Sequence, residues 1–287
     1  MIRERILGPS TSNTLKGLVL CADYYVRDLQ AYQRAVDLLK YGISLSDDLF
    51  IAVPLICEAF WQLYDKNADS VRFSDVSDVL GTIVAAINGR AWTSSAEHCL
   101  NDEWFRDLVC LLFVHLVDLL CQVTSTEDEV SSVRQIVDSL VRTRCRTGDG
   151  RTLLHLAVHP ECWIKHDDHC DHPWLRTLLP SSVVVGHLLD AGATADATDV
   201  GKNTPLHTVV FNEPETSPAR NEIVDLLLQH GAHVDAANAD GRTASNCLSP
   251  SLVFNHVSLK CLAARAVLSY KLPYRGTVPT TLANFVV

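Results

Sequence analysis

The second half of this 287-residue sequence contains one segment twice, and that repetition restricts the possible folds more than any other feature. The stretch LLDAGATADATDVGKNTPLH at residues 188–207 matches LLQHGAHVDAANADGRTAS at residues 227–245. A shorter copy, GDGRTLLHLAV, covers residues 148–158. Repeated segments of this length form equivalent units that stack, because a single unit cannot bury its own apolar face. We therefore expect the second half to be a stack of similar units.

Each recurring residue of the segment has a definite local role. The leucine pairs end an outer helix, and Gly192 and Gly231 stop that helix in the left-handed conformation that glycine adopts freely. Thr204 then caps the next helix, and Pro205 suits its first turn because the missing N–H is not needed there. His207 stands three residues after the cap and can bond back toward it, so we interpret it as structural. The equivalent structural positions in the other copies are Thr152, His155 and Thr243.

This arrangement resembles the ankyrin repeat, and NTPLHTVV is its most specific piece. The threonines Thr152, Thr204 and Thr243 are 52 and 39 residues apart. The usual repeat has about 33 residues, which predicts insertions of about 19 and about 6 residues. We place these insertions around 159–182 and 212–219. Two to three repeats are therefore expected over 148–255. The function of such stacks is nearly always protein binding and not catalysis.

The first half shows helical periodicity and no alternation typical of strands, so the predicted fold class is all-α. Tyr32, Ala35, Leu39 and Gly42 follow the second-helix spacing of a tetratricopeptide repeat (TPR), although a plain helical hairpin fits equally well. We assign residues 1–64 to degenerate TPR-like helices and residues 65–147 to a further helical region. The apolar run at residues 108–121 is shorter than the roughly 20 residues of a membrane span and predicts a buried helix.

Composition narrows the possible partners and the compartment. The net charge of −10 makes nucleic acid an unfavourable main partner, and the cluster Arg142, Arg144 and Arg146 is interpreted as a cationic helix C-terminus. The ten cysteines include no CxxC pair, and the N-terminus has no signal-peptide core. Together these features favour free, mostly buried thiols in a reducing compartment, either the cytoplasm or the nucleus or both.

The larger insertion is rich in histidine and cysteine. It could supply two thiolates and two imidazoles to zinc, but its spacing matches no strong structural zinc pattern. A polar surface loop is the favoured interpretation, and we expect no metal and no other cofactor. The residues concerned are His159, Cys162, His166, His169, Cys170 and His172.

No catalytic residue is predicted. The sequence contains no G-x-S-x-G, no phosphate-binding glycine loop and no HExxH motif. Cysteine and histidine are frequent, but no spacing places a nucleophile beside a base. We expect a protein that is not an enzyme.

The segment SLKCLAARAV at residues 258–267 predicts a helix with an unusually wide apolar face. Two interpretations remain open for that face: a helix that caps the repeat stack, or a helix that also binds a partner. The spacing Leu259-x-x-x-Ala263-x-x-x-Val267 resembles the elongin C-binding box of ubiquitin-ligase receptors, and Leu262 belongs to the same apolar stripe. The following Val278-Pro279-x-x-Leu282 resembles the cullin-2 half of a VHL box. Residues 256–287 therefore resemble a VHL-type box.

These features together resemble the C-terminal half of the Feminization-1 (Fem-1) family. The resemblance rests on RILGPS and NTL near the start, GRTLLHLAV, the two longer repeat copies and the two C-terminal boxes. It implies a substrate receptor of a cullin-2 RING ubiquitin ligase that binds elongin C, and with it elongin B, in ubiquitin-dependent degradation. The family's N-terminal ankyrin array is expected to be missing, so protein substrates are expected only of a longer form. The alternative is a non-catalytic ankyrin scaffold whose C-terminal helix is only a cap.

Overall fold

The computed structural model describes residues 12–45, 52–89, 103–159 and 179–250, together with eight residues between 263 and 277. These residues form helices, turns and isolated bridges such as Ala237–Thr243, without a sheet. The predicted all-α repeat fold is therefore confirmed. The chain divides into two compact units: the first contains the described residues up to Gly148, and the second contains those of 149–159 and those from Leu179 onward. None of the helices in the described ranges has both the length and the apolar character needed to cross a membrane.

The first unit contains six described helices. Its described helices are α1 Ser12–Arg27, α2 Tyr32–Leu45, α3 Val53–Lys66, α4 Phe73–Gly89, α5 Glu103–Val123 and α6 Glu127–Arg142, with a 3-10 turn at Ala68–Ser70.

Helices α1 and α2 approach each other closely because Gly42 has no side chain. A Cβ atom at this position would lie 2.9 Å from Leu15 Cδ1 on α1. Tyr32, Ala35 and Leu39 are buried on α2, which packs against α1 and α3. The residues that give α2 its TPR-like spacing therefore form its buried face.

Helix α5 is the most buried element of the first unit. Every residue from Leu108 to Leu120 is buried, and α5 packs against α3, α4 and α6. Burial lowers the pKa of His115 to about 4, so its imidazole is neutral at physiological pH. The predicted buried helix is therefore present, and it also encloses the polar residues His115 and Asp118.

Helix α6 begins with a capping box. Thr126 accepts a hydrogen bond from the Glu129 amide, and the Glu129 side chain accepts one from the Thr126 amide. The helix ends at Arg142. Arg144 and Arg146 lie beyond the helix, and Arg144 has a φ of 52°. We expected all three arginines to interact with the helix dipole. Only Arg142 lies in the last turn of the helix, where that interaction is effective.

The cysteines in the described ranges are thiols and not disulfides, as expected. Cys57, Cys110 and Cys145 are buried, Cys121 and Cys247 are half-buried, and Cys21 is exposed. Burial raises the pKa of the Cys121 thiol to about 12. Hydrogen bonds from Cys110 and Thr143 lower the pKa of Cys145 below its usual value, despite its burial.

A buried carboxylate joins α2 to α4. Asp75, in the first turn of α4, accepts hydrogen bonds from Lys40 Nζ at 2.6 Å and from Gln33 Nε2 at 3.1 Å, both on α2. Arg72 adds an ion pair with an N–O distance of 2.7 Å. Burial alone would raise the pKa of Asp75, but the hydrogen bonds from Lys40 and Gln33 outweigh it, so that the pKa lies below its usual value.

The second unit contains the repeats. Its described helices are α7 Leu153–Ala157, α8 Ser182–Asp190, α9 Pro205–Asn212 and α10 Pro218–Gln229, followed by a 3-10 turn at Ala244–Cys247. Helices α7 and α8 pack as one pair, α9 and α10 as the next, and α8 packs against α10. The shorter predicted insertion is the loop between α9 and α10. The longer one lies between α7 and α8, and residues 160–178 of it are outside the described residues.

We predict that Asp75→Ala destabilises the first unit by about 2 kcal/mol or more, because it removes the acceptor of several charge-assisted bonds. Asp78→Ala is the control: Asp78 is exposed and pairs with Lys40 alone, so we expect a loss of less than about 1 kcal/mol. Urea denaturation followed by far-ultraviolet circular dichroism measures the stability of both variants.

The pH dependence of this bond network has a definite sign. Since folding lowers the pKa of Asp75, its contribution is complete above the unfolded value of about 3.9 and decreases as the pH falls through the folded value. The parent chain should therefore lose more stability than Asp75→Ala in this acidic range. Equal losses in both chains would contradict the assigned role of Asp75.

Candidate protein-interaction surface

Two of the repeats begin with the same threonine–histidine cap. The amides of Thr152 and Thr204 each donate to Nδ1 of the histidine three residues later, at 3.2 Å in both repeats. In return, the amides of His155 and His207 donate to the threonine hydroxyls. Pro205 occupies the first turn of α9, as predicted. The predicted structural roles of these residues agree with the geometry.

The second nitrogen of each histidine reaches the following repeat. Since Nδ1 accepts from a backbone amide, Nε2 carries the proton and donates. His155 Nε2 donates to the carbonyl oxygen of Asn203 at 2.9 Å, and His207 Nε2 to that of Arg242 at 3.2 Å. Both histidines are buried, and burial lowers the pKa of His207. Each neutral histidine therefore connects its own helix cap to the next repeat.

The turns between the helix pairs form a second set of contacts between repeats. The amide of Val200 donates to the Asp149 carbonyl at 2.9 Å, and the amide of Ala239 donates to the Gly201 carbonyl at 2.9 Å. Arg220 on α10 is buried and donates to the carbonyl of Cys247 at 2.7 Å. These contacts could not be inferred from the sequence, because their partners lie in different repeats.

Asp196 and Asn238 hold the same turns through their side chains. Asp196 Oδ1 accepts from the amide of His233 at 2.9 Å, and Asn238 Nδ2 donates to Asn203 Oδ1 at 2.8 Å. Asp196 aligns with Asp235 in the two long copies of the repeated segment, so the sequence did contain a signal for its structural role. The partner of Asn238 could not be inferred from the chain alone.

The glycines end the outer helices in the predicted conformation. Gly192 and Gly231 have φ values of 85° and 87°, and each follows an outer helix. A second left-handed position recurs two residues before each threonine. It is occupied by Gly150, Lys202 and Gly241, with φ values of 81°, 58° and 74°. Lys202 is the only residue of this set with a side chain, so it carries a conformational cost that the glycines avoid.

The third repeat differs from the other two. Thr243 precedes a 3-10 turn and makes no cap bond, and its hydroxyl pairs with Ser245 Oγ at 2.8 Å. Asn246 stands where the other repeats have histidine, so the reciprocal bond is missing. The predicted equivalence of Thr243 therefore holds for its position but not for its hydrogen bonding.

The predicted box lies only partly within the described residues. Ala263, Ala266 and Val267 are helical and half-buried. After them, Tyr270 is 76% exposed and Leu272 is 48% exposed, and neither was identified from the sequence. The predicted elongin C residues Leu259 and Leu262, and the predicted cullin-2 residues Val278, Pro279 and Leu282, are outside the described residues.

The histidine-rich insertion is also described only at its edge. His159 is buried beyond the end of α7, whereas Cys162, His166, His169, Cys170 and His172 are outside the described residues. Within the part that is described, no three His, Cys, Asp or Glu side chains are grouped so that they could hold a metal ion. The expectation of a polar loop without metal therefore stays a prediction.

We predict that His207→Ala lowers the stability of the repeat stack by about 2–4 kcal/mol, because it leaves buried donors and acceptors without partners. His230→Ala is the control, since His230 lies exposed beyond α10, and should cost less than about 1 kcal/mol. Because folding lowers the pKa of His207, its contribution is complete above about pH 6.5 and decreases below it.

Urea denaturation followed by circular dichroism, at pH 7 and pH 5, measures both effects. The parent chain should lose more stability on acidification than His207→Ala does. A variant with parental stability at both pH values would show that this histidine does not hold the repeats together.

Comparison with known proteins identifies the same architecture. The ankyrin repeat family model matches residues 201–239, which run from the turn before α9 into the turn of the third repeat. Protein fem-1 homolog A of Bos taurus is 32% identical over 100% of this chain and 45% of its own length. The human fem-1 homolog A is 32% identical over 100% of this chain and 44% of its own length.

A second group of relatives is more distant. The human fem-1 homolog C is 26% identical over 100% of this chain and 47% of its own length. The chain thus spans a little under half the length of these curated relatives, and the matching part is C-terminal in them. Its ankyrin repeats give it a general role in protein interaction. The similarity covers the whole of this chain, and it agrees with the ankyrin match and with the repeat geometry. The chain belongs to the Fem-1 family of ankyrin-repeat proteins.

Proposed function

We propose that this chain is a substrate-receptor subunit, or a truncated receptor, of a cullin-2 RING ubiquitin ligase, with elongin C and elongin B as its direct partners. The supporting observation is the spacing Leu259-x-x-x-Ala263-x-x-x-Val267 at the end of a Fem-1 family chain. The described members of this pattern, Ala263 and Val267, are helical and only half-buried. A helix face with these properties remains accessible to a partner.

The chemistry of this face suits helix docking. Ala263 and Ala266 are small, so the backbone of a partner helix can approach closely. Leu259 supplies the large apolar group, and full burial of a leucine contributes about 1.5–3 kcal/mol. The interaction would be apolar and insensitive to salt, which fits a stable subunit contact better than a transient electrostatic one.

In this role the chain is not an enzyme. It binds the adaptor elongin C, and other subunits of the ligase transfer ubiquitin. The cytoplasm and the nucleus are the compartments in which we expect this ligase. Substrates of a longer form would contact the ankyrin surface, because such stacks form an extended concave binding face.

A scaffold without ligase function is the second candidate. The half-burial of Ala263, Ala266 and Val267 also fits a helix that only seals the end of the repeat stack. The two functions differ in one measurement, the co-elution of the purified chain with elongin B/C in size-exclusion chromatography. Co-elution as a stoichiometric complex supports the receptor, and separate elution at micromolar concentrations supports the scaffold.

We predict that Leu259→Ala weakens elongin B/C binding by at least about 30-fold. A central anchor costs about 2 kcal/mol or more when it is truncated, and every 1.4 kcal/mol changes affinity tenfold. Lys260→Ala, at the neighbouring position, is the control and should bind like the parent. Isothermal titration calorimetry gives both dissociation constants, and circular dichroism verifies the fold. Parental affinity in both variants would remove the basis of the elongin assignment.

We further predict that Pro279→Ala combined with Leu282→Ala lowers the recruitment of cullin-2 and leaves elongin binding nearly unchanged. Separate surfaces contribute independently to binding, so the effects of the two boxes should be additive. Pull-down of cullin-2 and of cullin-5 by the preformed elongin B/C complex of each chain measures this effect. Undiminished cullin-2 binding by the double variant, or preferential binding of cullin-5, would contradict the assignment.

A further inference from the structure

Tyr270 is unusually exposed for a large side chain with apolar character. Its side chain has an exposed fraction of 76%. Among the large apolar residues of the described ranges, only Val200 is equally exposed. Aromatic residues of this kind are enriched at protein interfaces, because the ring buries a large area while the hydroxyl keeps a polar contact. We propose that Tyr270 is a further contact residue for elongin C, one helical turn beyond Val267; this proposal rests on the function proposed above.

The helical register places Tyr270 on the face of the box. The amide of Tyr270 donates to the carbonyl of Ala266 at 3.0 Å, which is the i to i−4 bond of an α-helix. At about 100° per residue, Ala263, Ala266, Val267 and Tyr270 fall within an arc of about 100°. Tyr270 therefore projects from the same side of the helix as the alanines that the proposed partner helix approaches.

The end of the helix separates Tyr270 from the residues that follow. The amide of Leu272 donates to the carbonyl of Val267 at 3.0 Å, an i to i−5 bond that is typical of a helix end, and Pro273 comes next. Tyr270 lies in the turn that ends the helix and is thus the last large side chain on this face before the chain leaves it. Leu272 lies beyond the helix, which makes it a local control for general apolar exposure.

Elongin C is the occupant that the register favours over cullin-2. Tyr270 shares its helix face with Ala263 and Val267 of the elongin pattern, whereas the cullin-2 pattern begins only at Val278. A ring at the end of a face lined by small residues would lie over the end of the docked partner helix. The contact would therefore add to elongin binding and would be measurable without cullin-2.

The test measures the affinity of the full chain for purified elongin B/C by isothermal titration calorimetry. We expect Tyr270→Ala to weaken binding by about tenfold or more and Tyr270→Phe to retain binding within about threefold, because the ring supplies most of the contact. Tyr24→Ala is the matched control, since Tyr24 is a tyrosine on α1 that is 53% exposed. It should bind like the parent, and Leu272→Ala should remain within about threefold.

Leu259→Ala, measured in parallel, separates this inference from the proposed function. Loss of binding in Leu259→Ala with parental binding in Tyr270→Ala would overturn the role of Tyr270 and leave the receptor function intact. Parental binding in both variants would overturn the receptor function and this inference with it. If Tyr270→Ala binds elongin B/C normally but recruits less cullin-2, the assigned occupant is wrong. Tyr270 is exposed, so unchanged circular dichroism is expected for all Tyr270 variants.

Discussion

The repeat stack depends on two buried histidines, each of which must accept a hydrogen bond at one nitrogen and donate at the other. His155 and His207 accept from the threonine amide of their own cap and donate to a carbonyl of the next repeat. Only a neutral imidazole offers this combination, since the protonated ring has two donors and no acceptor. Burial lowers the pKa of His207, so the packing of the stack maintains the protonation state that its hydrogen bonds require.

The sequence predicts those parts of the fold whose partners are close along the chain. The caps at Thr126, Thr152 and Thr204 lie within three residues of their partners, and a short pattern is enough to recognise them. Contacts between elements are different. His155 bonds to a residue 48 positions away, and Lys40 to one 35 positions away. Insertions change such separations without changing the local pattern, so the partners are known only from the structure.

The candidate binding face shows the same limit. Its spacing can be recognised from the sequence, because Leu259, Ala263 and Val267 recur at helical intervals. The extent of the face cannot be recognised from the sequence, because the pattern ends at Val267 while the helical hydrogen bonds continue to Tyr270. Exposure also depends on what the rest of the unit covers. A large side chain on a helix face is core in one fold and surface in another, so the role of Tyr270 required the structure.

Fold and binding depend on different kinds of side chain in this protein. Buried polar groups such as His207 and Asp75 fix how elements pack, and each has several partners within its own unit. A change there alters stability first. Tyr270 is 76% exposed, so its replacement removes little contact within the chain and acts mainly on a bound partner. Affinity at the C-terminal face can therefore change by substitution without loss of the repeat fold that supports it.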